Sequence, residues 1–468
     1  MSTGPLTDTV AAVSTPPGVG GIAVVRISGP EAGAIAGRCF RAAAKTPANS
    51  TLLRPRHATY GDWCDPESGE VIDDVLAVYF PGPHSYTGEP VLEVSCHGSA
   101  YIQTAVLDSA VAAGARLAAP GEFTRRAFLN GRLDLTQAEG VGDLIAAETA
   151  AAHRLARTQL SGGISRAMAA LRGELIDFAA LIELENDFGE EDVEFADRSA
   201  LGQRVGALRA EIQRLLESFT LGRALKDGVA TVIAGRPNAG KSTLLNALLD
   251  DDRAIVSDVP GTTRDTIEAA SVIEGVAFRL VDTAGIREAA DEIEALGVAR
   301  TLAEVERAAV LVYVWDVVAT PPAGVASDLA RLRREGLAVV GVANKMDMNP
   351  YAKHEDYAAT GLPAERFVPM SAAHGMNLGL LRERLFAAGV GEAPARGDAV
   401  LTRARHVHAL RAADEALARV GDGLDQGLGG DLVVLDLRHA LHFVGEVTGE
   451  IGVDDVLDAI FSGFCIGK

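Results

Sequence analysis

Val229-Ala-Thr-Val-Ile-Ala234 leads directly into Gly235-Arg-Pro-Asn-Ala-Gly-Lys-Ser242, and an apolar pattern with Leu244, Leu245 and Leu248 follows. This order of a buried strand, a GxxxxGKS loop and a helix is that of a phosphate-binding loop. Its glycines allow backbone N–H groups to surround phosphate oxygens at a helix N-terminus, where the helix dipole also favours negative charge. The stretch therefore predicts a nucleoside triphosphate site in an α/β domain.

Two side chains of this loop have separate expected roles. Lys241 is expected to contact the β- and γ-phosphates, and the hydroxyl of Ser242 is expected to ligate Mg²⁺. Only six of the 43 basic residues are lysine, so a lysine retained at this position indicates a need for its compact ammonium. The other loop residues expected to line the nucleotide are Gly235, Asn238, Ala239, Gly240 and Thr243.

The motifs that sense the γ-phosphate follow in chain order. The segment 261–265 supplies Thr262 and Thr263 as candidate switch threonines, with Thr263 as a second Mg²⁺ ligand. A strand predicted over 276–281 ends in Asp282, whose carboxylate can reach Mg²⁺ through water. The residues Thr283, Ala284 and Gly285 complete this motif, and the Gly285 N–H can meet the γ-phosphate.

The base-recognition motif predicts guanine rather than adenine. A strand over 337–343 ends in Asn344-Lys-Met-Asp347, and Asp347 can accept hydrogen bonds from N1–H and the 2-amino group of guanine. Adenine has neither donor and would leave that carboxylate unpaired, which is costly. The stem of Lys345 is expected to cover the base. Backbone N–H groups of the turn that follows can bind guanine O6, and its residues are Ser371, Ala372 and Ala373.

The residue that orients the attacking water in many GTPases is absent from its usual position in this chain. Many GTPases place a water-orienting glutamine directly after the DxxG glycine, but this chain has Ile286 there. The candidates lie in the polar segment from Arg287 to Glu294. Asn238 is a neutral oxygen donor that could hold a monovalent cation in place of an arginine finger. A plain loop role for Asn238 is equally consistent with the sequence.

The chain around this unit indicates a multidomain protein. Residues 1–130 mix short strands, such as 21–27 and 75–80, with turns, which predicts an α+β domain. After residue 130, apolar residues recur at gaps of three and four, and this pattern predicts two amphipathic helices. The first apolar stripe consists of Ile164, Met168, Leu171, Leu175, Phe178 and Ile182. The second consists of Leu201, Val205, Leu208, Ile212 and Leu215. We predict one helical domain built from 131–220 and 391–468, with the α/β domain 221–390 inserted into it.

Composition agrees with a soluble, cytoplasmic protein. The 468 residues suggest roughly three domains. The net charge of −21 argues against a chain that coats nucleic acid by bulk charge. Four scattered cysteines without CxxC spacing favour free thiols in a reducing compartment. No apolar run approaches the roughly 20 residues that span a bilayer, and the first residues do not have the pattern of a signal peptide.

Three further stretches carry a family resemblance: Thr9 to Ser28, Pro120-Gly-Glu-Phe-Thr-Arg-Arg-Ala-Phe-Leu-Asn130, and the terminal Cys465-Ile-Gly-Lys468. With the nucleotide motifs, the whole chain resembles the MnmE (TrmE) family of tRNA uridine-modification GTPases. The resemblance implies an N-terminal domain that dimerises and binds 5-formyl-tetrahydrofolate or methylene-tetrahydrofolate. It also implies a discontinuous helical domain with an inserted Ras-like G domain.

The resemblance also implies roles for individual residues. The folate-contacting positions fall on Arg26, Glu93, Arg132 and Lys468. A K⁺ ion, organised when the G domains of two subunits meet, takes the place of an arginine finger, and its ligands fall on Asn238, Ser257, Val259 and Thr262. The water-orienting glutamate falls on Glu294, with Arg287 as a second catalytic candidate.

The partner implied by the resemblance is MnmG, which uses FAD and NADH and forms a heterotetramer with the homodimer. The two proteins add a carboxymethylaminomethyl or aminomethyl group at C5 of the wobble uridine of certain tRNAs. The folate supplies the one-carbon unit, and ammonia or glycine supplies the amine. Two alternatives are a GTPase switch in ribosome assembly without folate chemistry, and a folate enzyme acting alone, which would need its own redox cofactor site.

Some residues keep two interpretations. Cys465 is either a reactive thiol or a small hydrophobic residue near the folate pocket, and Ile466 stands where the family usually has phenylalanine. The charged residues Glu122, Arg125 and Arg126 either line that pocket or lie on the surface. Cys96 and His97 are adjacent on a predicted strand and should point to opposite faces, so we expect a structural role for this pair.

Overall fold

The computed structural model describes residues 7–43, 53–188, 198–250, 268–282, 302–391 and 399–451, together with residues 457, 460, 461, 464 and 467. The chain divides into two compact units. The first contains Met1–Gly142, Gln159–Glu194 and Gly429–Lys468, and the second contains Asp143–Thr158 and Phe195–Leu428. Each unit is therefore assembled from segments that are distant in sequence.

A seven-stranded sheet forms the centre of the first unit. Its strands are β1 (Val10–Val13), β2 (Gly20–Ser28), β3 (Phe40–Ala42), β4 (Thr59–Cys64), β5 (Val71–Phe80), β6 (Val91–Gly98) and β7 (Arg116–Leu117). Their order is β3-β4-β5-β6-β2-β1-β7, and all neighbours are antiparallel except β1 and β7. The strands predicted over 21–27 and 75–80 are thus confirmed.

Helices pack against this sheet and complete an α+β fold, as predicted. They are α1 (Ala32–Cys39), α2 (Ala100–Ala112) and α3 (Glu122–Leu129), and α4 (Leu135–Ala146) follows. The core joins Val25 and Ile27 of β2 to Ile35 of α1 and to Trp63 of β4. The indole N–H of the fully buried Trp63 donates to the Ser109 hydroxyl at 2.7 Å, so this large side chain leaves no unpaired donor.

The two predicted helical stripes are confirmed. Helix α5 (Ala150–Leu160) precedes two long helices, α6 (Gly163–Phe188) and α7 (Arg198–Asp227). Every member of the stripe 164–182 on α6 and of the stripe 201–215 on α7 is buried. The apolar face therefore determined these helices, because tertiary burial of such a face stabilises a helix more than intrinsic propensity does.

The second unit contains a six-stranded sheet in the order β13-β12-β11-β8-β10-β9. The strands are β8 (Val229–Ala234), β9 (Glu268–Ile273), β10 (Val276–Asp282), β11 (Val310–Asp316), β12 (Ala338–Asn344) and β13 (Phe367–Pro369). All pairs are parallel, as predicted, except that β9 is antiparallel to β10. The antiparallel pairing results from a two-residue turn between β9 and β10. Its residues, Glu274 and Gly275, both have positive φ, and such turns form β-hairpins.

Both faces of this sheet are covered. The helices are α8 (Lys241–Asp250), α9 (Pro322–Leu332) and α10 (Leu378–Val390). Residues of β11 alternate between two cores: Val312 packs in the core that contains Leu244 of α8 and Leu381 of α10, and Leu311 packs in the core that contains Leu329 of α9. Since β11 is buried on both faces, its continuous apolar sequence is that of a central parallel strand.

Two helices follow the sheet and pair with the long helices before it. In the second unit, α11 (Ala404–Asp425) packs against α7, and Asp414 accepts hydrogen bonds from Arg209 at 2.9 Å and from Gln213 at 2.9 Å. In the first unit, α12 (Gly430–Thr448) packs against α6. Both flanks of the α/β region thus contribute to helical packing, and the exact domain boundaries stay a prediction. In the part of the chain described, no helix combines the length and apolarity needed to cross a membrane.

Candidate functional site

The phosphate-binding loop connects β8 to α8 and has the geometry predicted from its glycines. Gly240 has a φ of +97°, and a Cβ atom at this position would collide with the Asn344 side-chain amide. That amide donates to the Ala239 carbonyl at 2.8 Å. A glycine is therefore required where the loop approaches β12 and enters α8.

Lys241 begins α8 and is buried beneath the loop. Its ammonium donates to the carbonyls of Gly235 at 2.9 Å and Arg236 at 3.0 Å. Phosphate oxygens are stronger acceptors than carbonyls, so the ammonium can transfer to a nucleotide at little cost. Ser242 and Thr243 are exposed on the same first helical turn. A hydroxyl oxygen is the type of ligand that Mg²⁺ accepts beside phosphates.

Asn238 is exposed and lies in the left-handed region, with a φ of 61°. Asparagine is one of the few residues that adopt this conformation readily. The backbone alone thus accounts for the residue type, and a role of the Asn238 amide in cation binding needs a test that keeps the loop conformation.

Asn344, at the end of β12, links the two halves of the nucleotide site. Its amide N–H₂ bonds the phosphate loop at Ala239, and its Oδ1 accepts the N–H of Ala372 at 2.9 Å. The side chain is only 3% exposed. One buried amide therefore fixes the phosphate loop against the turn predicted to bind guanine O6.

Asp347, the predicted guanine acceptor, is hydrogen-bonded to the turn that starts at Ser371. The Ser371 hydroxyl donates to its Oδ1 at 2.6 Å, and this hydrogen bond lowers the pKa of Asp347. A carboxylate that stays ionised is an acceptor only, which suits the N1–H and 2-amino donors of guanine. Asp347 and Ser371, far apart in sequence, are thus brought together.

Asp316 is a part of this site that the sequence analysis missed. It ends β11 opposite Asn344 and pairs with Lys345 at 2.7 Å. Burial alone would raise the pKa of Asp316, but hydrogen bonds from Lys345 and from the Val318 and Ala319 N–H groups outweigh burial and lower it. The available signal was its place at the carboxyl end of a parallel strand, where ligands of α/β sheets bind.

A second missed contact anchors the phosphate loop to α9. Arg236 donates from Nε to Asp328 at 2.7 Å, and the Tyr313 hydroxyl donates to the same carboxylate oxygen at 2.5 Å. Burial raises the pKa of Tyr313, so its hydroxyl remains a donor. The variable second position of the GxxxxGKS motif therefore has a structural role here.

Several predicted site residues lie outside the described part of the chain. Asp282 ends β10, but only its backbone is described. The predicted site residues that lie outside the part of the chain that the structure describes are Ser257, Val259, Thr262, Thr263, Thr283, Ala284, Gly285, Arg287, Glu294, Cys465 and Lys468. Their assignments stay predictions from sequence.

In the first unit, two of the predicted folate residues face each other across neighbouring strands. Arg26 on β2 is paired with Glu93 on β6, and both Nε and Nη2 of Arg26 donate to Glu93 Oε1, at 2.9 and 2.8 Å. The guanidinium also lies 5.2 Å from the ring centre of Tyr86 and 5.6 Å from that of Phe123. Arg132 is exposed, and its stem lies beside the backbone of Gly88.

The interpretation of Glu122 and Arg126 as surface charges is wrong. Arg126 is fully buried and donates to Asp8 at 2.8 Å, Glu122 at 2.9 Å and Glu89 at 3.1 Å. Burial would raise the pKa of Glu122, but hydrogen bonds from Arg116, the Ala119 N–H and Arg126 outweigh it, and the net pKa is lowered. The periodicity of one short helix could not reveal this, because two of the three acidic partners, Asp8 and Glu89, come from distant segments. Arg125, the third member, is partly buried.

The structural interpretation of Cys96 and His97 is confirmed. Cys96 is buried on β6, and burial raises the pKa of its thiol to about 11. His97 lies on the opposite face, 66% exposed, with Nδ1 at 2.8 Å from Asp73. The two side chains do not form a nucleophile–base pair.

Comparison with known proteins adds a family to this geometry. Residues 9–132 match the model of the GTP-binding protein TrmE N-terminus, and residues 135–465 match the model of the MnmE helical domain. The tRNA modification GTPase MnmE of Cytophaga hutchinsonii is 44% identical over 463 residues, which cover 99% of this chain and 98% of that protein. The protein of the same name from Christiangramia forsetii is 42% identical, covering 99% of this chain and 100% of its own length.

A solved structure of a GTP-binding protein from Sulfolobus solfataricus, in complex with GDP, is also similar. It is 18% identical, covers 47% of this chain and 66% of its own, and has a TM-score of 0.28. A TM-score this low supports no conclusion about site or function.

Proposed function

The chain belongs to the MnmE family of tRNA modification GTPases, and on that premise we propose that its GTP hydrolysis drives the modification of C5 of the wobble uridine in certain tRNAs. The group installed is carboxymethylaminomethyl or aminomethyl. The reaction partner is the FAD-dependent protein MnmG, which forms a heterotetramer with a homodimer of this chain. Assigning the flavin chemistry to the partner protein suits this chain, because its sequence has no Rossmann GxGxxG motif after a strand.

The observation that best supports GTP as the nucleotide is the arrangement around Asn344. Its amide joins the phosphate loop to the 371–373 turn, and the neighbouring Asp347 presents an ionised carboxylate. Guanine offers two donors to that carboxylate and an O6 acceptor to the turn. Adenine offers neither donor and would leave the carboxylate with its bond from Ser371 but none from the base, and sites built around such hydrogen bonds reject the incomplete partner strongly.

Hydrolysis requires charge neutralisation on the phosphates and an oriented water. Lys241 would hold the β- and γ-phosphates, and Ser242 and Thr263 would hold Mg²⁺, which would supply positive charge to the phosphates. Asn238, with Ser257, Val259 and Thr262, would hold a K⁺ ion, which would supply the charge of an arginine finger. Glu294 orients the attacking water, because Ile286 cannot, and Arg287 is the second catalytic candidate of the same segment.

The first unit is proposed to bind the one-carbon donor. Arg26, Glu93, Arg132 and Lys468 are the proposed contacts for 5-formyl-tetrahydrofolate or methylene-tetrahydrofolate. In the described residues, Arg26 and Glu93 form an ion pair that is 20% and 30% exposed, and aromatic rings lie beside it. A partly exposed charge pair beside aromatic rings suits a ligand with a flat heterocycle and carboxylates.

The K⁺ proposal is tested by GTP turnover of the full chain in KCl and in NaCl. We expect faster turnover in KCl, and we expect Asn238→Gly to lose this difference. Glycine adopts the φ of 61° without strain, so this variant removes the amide and keeps the loop conformation. Equal rates in both salts for the unmodified chain, or an unchanged salt effect in Asn238→Gly, would exclude the cation role.

The role of Glu294 is tested separately. Glu294→Ala should bind GDP with unchanged affinity and lose most hydrolysis, because an alanine cannot orient water. Removing a group that positions or deprotonates a reactant typically costs about 10²–10⁴ in rate. Single-turnover hydrolysis and GDP titration on the same preparation check this. Weakened nucleotide binding with normal turnover would refute the assignment.

A further inference from the structure

The segment Ser85-Tyr-Thr-Gly-Glu89, here called the 85–89 loop, lies between β5 and β6 and contacts two of the proposed folate residues. We propose that Tyr86 is a positioning residue that holds the Arg26 guanidinium for the ligand, and that the 85–89 loop fixes the placement of Arg26 and Arg132. This inference rests on the proposed folate site and assigns that site residues beyond its ligand contacts.

The first contact of the loop is between Tyr86 and Arg26. The Arg26 guanidinium lies over the Tyr86 ring at 5.2 Å, within the range of a cation–π interaction. Its Nε and Nη2 are both bonded to Glu93. Within the described part of the chain, no hydrogen bond engages Nη1 of Arg26. The guanidinium is thus fixed in orientation and presents its remaining N–H groups to an oxygen of the ligand.

The Tyr86 ring is itself held by α3. Its hydroxyl lies 2.8 Å from the hydroxyl of Thr124, which is fully buried. Phe123, the preceding residue on α3, places its ring 5.6 Å from the same guanidinium. One turn of α3 therefore supports Arg26 twice, directly through Phe123 and indirectly through Thr124 and Tyr86.

The rest of the loop is fixed by hydrogen bonds to two other segments, the end of β2 and helix α3 with its C-cap residue. The Thr87 hydroxyl lies 2.8 Å from that of Ser28, and the Thr87 carbonyl accepts from Asn130 at 2.7 Å. Glu89 accepts from Arg126 at 3.1 Å. Because Arg126 is fully buried and charged, breaking this pair is costly, and the loop conformation is therefore set before a ligand arrives.

The second contact of the loop is between Gly88 and Arg132. Gly88 has a φ of +81°, and a Cβ atom there would lie 3.0 Å from the Asn130 Cβ and 3.1 Å from the Arg132 Cγ. The stem of Arg132 therefore packs on bare backbone. The 85–89 loop contacts Arg26 through the ring of Tyr86 and Arg132 through the backbone of Gly88. We infer that these two contacts keep the arginines, which are distant in sequence, at a fixed separation.

The test measures the affinity of the full chain for 5-formyl-tetrahydrofolate by calorimetry. Tyr86→Phe keeps the ring and removes the hydroxyl, and Thr124→Val removes the other partner with little change in shape. We expect each single variant to bind about fivefold more weakly, the size of one net hydrogen bond. We expect the double variant to equal either single one, because both remove the same bond.

Two further variants separate positioning from folding. Tyr86→Leu, which also removes the ring, should weaken binding by about a further two- to fivefold. Gly88→Ala should weaken binding by displacing Arg132. All these variants should keep the GDP affinity of the unmodified chain, and Tyr86→Phe should still unfold cooperatively above the assay temperature, although the loss of one buried hydrogen bond lowers its thermal midpoint. The matched control Tyr101→Phe removes a hydroxyl that is exposed on α2 and should change nothing.

The outcomes distinguish this inference from the proposed function. If the unmodified chain does not bind 5-formyl-tetrahydrofolate, the folate site fails and the positioning role fails with it. If it binds and Tyr86→Leu binds equally well, the folate site stands and the positioning role is overturned. Additive losses in Tyr86→Phe and Thr124→Val would also overturn the role, because the two hydroxyls would then act separately.

Discussion

At the residue scale, the side chain of Asn344 connects two separate parts of the nucleotide site. One buried amide donates to Ala239 of the phosphate loop and accepts from Ala372 of the turn predicted to bind guanine O6. An unpaired buried amide costs free energy, so both connections are needed together. This contact explains why a loop of glycines and a distant turn of small residues keep a fixed relation.

Asp316 gives a prediction at this scale. Asp316→Asn removes the negative charge that holds the Lys345 ammonium at 2.7 Å, so the lysine stem should cover the base less firmly. We expect GDP to dissociate about fivefold faster. Stopped-flow release of a fluorescent GDP analogue measures this. Glu355→Gln, an exposed carboxylate of the same unit, is the control. A release rate unchanged in Asp316→Asn would contradict the role.

The buried cluster around Arg126 gives a pH-dependent prediction. The pKa of Glu122 is lowered from its ordinary 4.5, so its ion pair stabilises the fold above that pH and loses its effect as pH falls through the folded-state pKa. Glu122→Gln should therefore lower the free energy of unfolding by about 2 kcal/mol at neutral pH. The difference from the unmodified chain should shrink in acid.

Urea unfolding at neutral pH and at a pH below the ordinary range of carboxyl groups measures both differences. Asp65→Asn is a suitable control, since the pKa of Asp65 is also lowered, by hydrogen bonds from Ser68, but its loop is exposed. A Glu122→Gln effect that is equally large at both pH values would contradict the ionic origin of the stabilisation.

Sequence reasoning reached the residues whose chemistry is fixed by a motif, and it missed those whose role depends on a partner. Lys241, Asn344 and Asp347 were identified because their spacing follows from the strand–loop–helix geometry. Asp316 and Arg126 were missed or misread, since their partners Lys345 and Asp8 are distant in sequence. A pattern gives the residue type and the face of an element, and it gives no information on which distant charge lies opposite.

At the element scale, the periodic segments were the most predictable. The apolar stripes of α6 and α7 are continuous and long, so burial of one face determined each helix. The choice of partner helix was not predictable, because α11 and α12 present similar apolar faces. The antiparallel edge β9 was also missed, since its direction depends on the two-residue turn at Glu274 and Gly275.

Gly222 gives a prediction at this scale. It lies in α7, where a Cβ atom would collide with the Leu401 carbonyl, and the Leu401 N–H donates to the buried Ser218 hydroxyl at 3.1 Å. Gly222→Ala should push α7 from this segment and lower the free energy of unfolding by about 1–3 kcal/mol.

The matched control is Gly206→Ala, in the same helix, where a Cβ atom meets nothing within 4 Å. Alanine there should raise the free energy of unfolding by about 0.5–1 kcal/mol, because it restricts the unfolded chain. Chemical denaturation of both variants checks the pair. Stabilisation by both substitutions would show that α7 does not approach residue 401 closely.

At the scale of the whole molecule, the fold class follows from sequence. An α+β sheet, long helices and a nucleotide-binding α/β sheet are all present, and the family models cover 9–132 and 135–465. The predicted boundaries at 130, 220 and 390 stay predictions, and each compact unit combines segments that are distant in sequence. Helices that precede and follow an insertion share cores, so a boundary read along the chain cannot separate them.

The central claim is that GTP binding by this chain is required for modification of the wobble uridine. The most direct measurement is mass spectrometry of tRNA nucleosides from a deletion strain that carries the unmodified chain, Lys241→Ala, or the exposed-lysine control Lys353→Ala. We predict that C5-modified uridine is absent from the deletion strain, is restored by the unmodified chain and by Lys353→Ala, and stays absent with Lys241→Ala. Normal C5 modification in the deletion strain, or its restoration by Lys241→Ala, would contradict the claim.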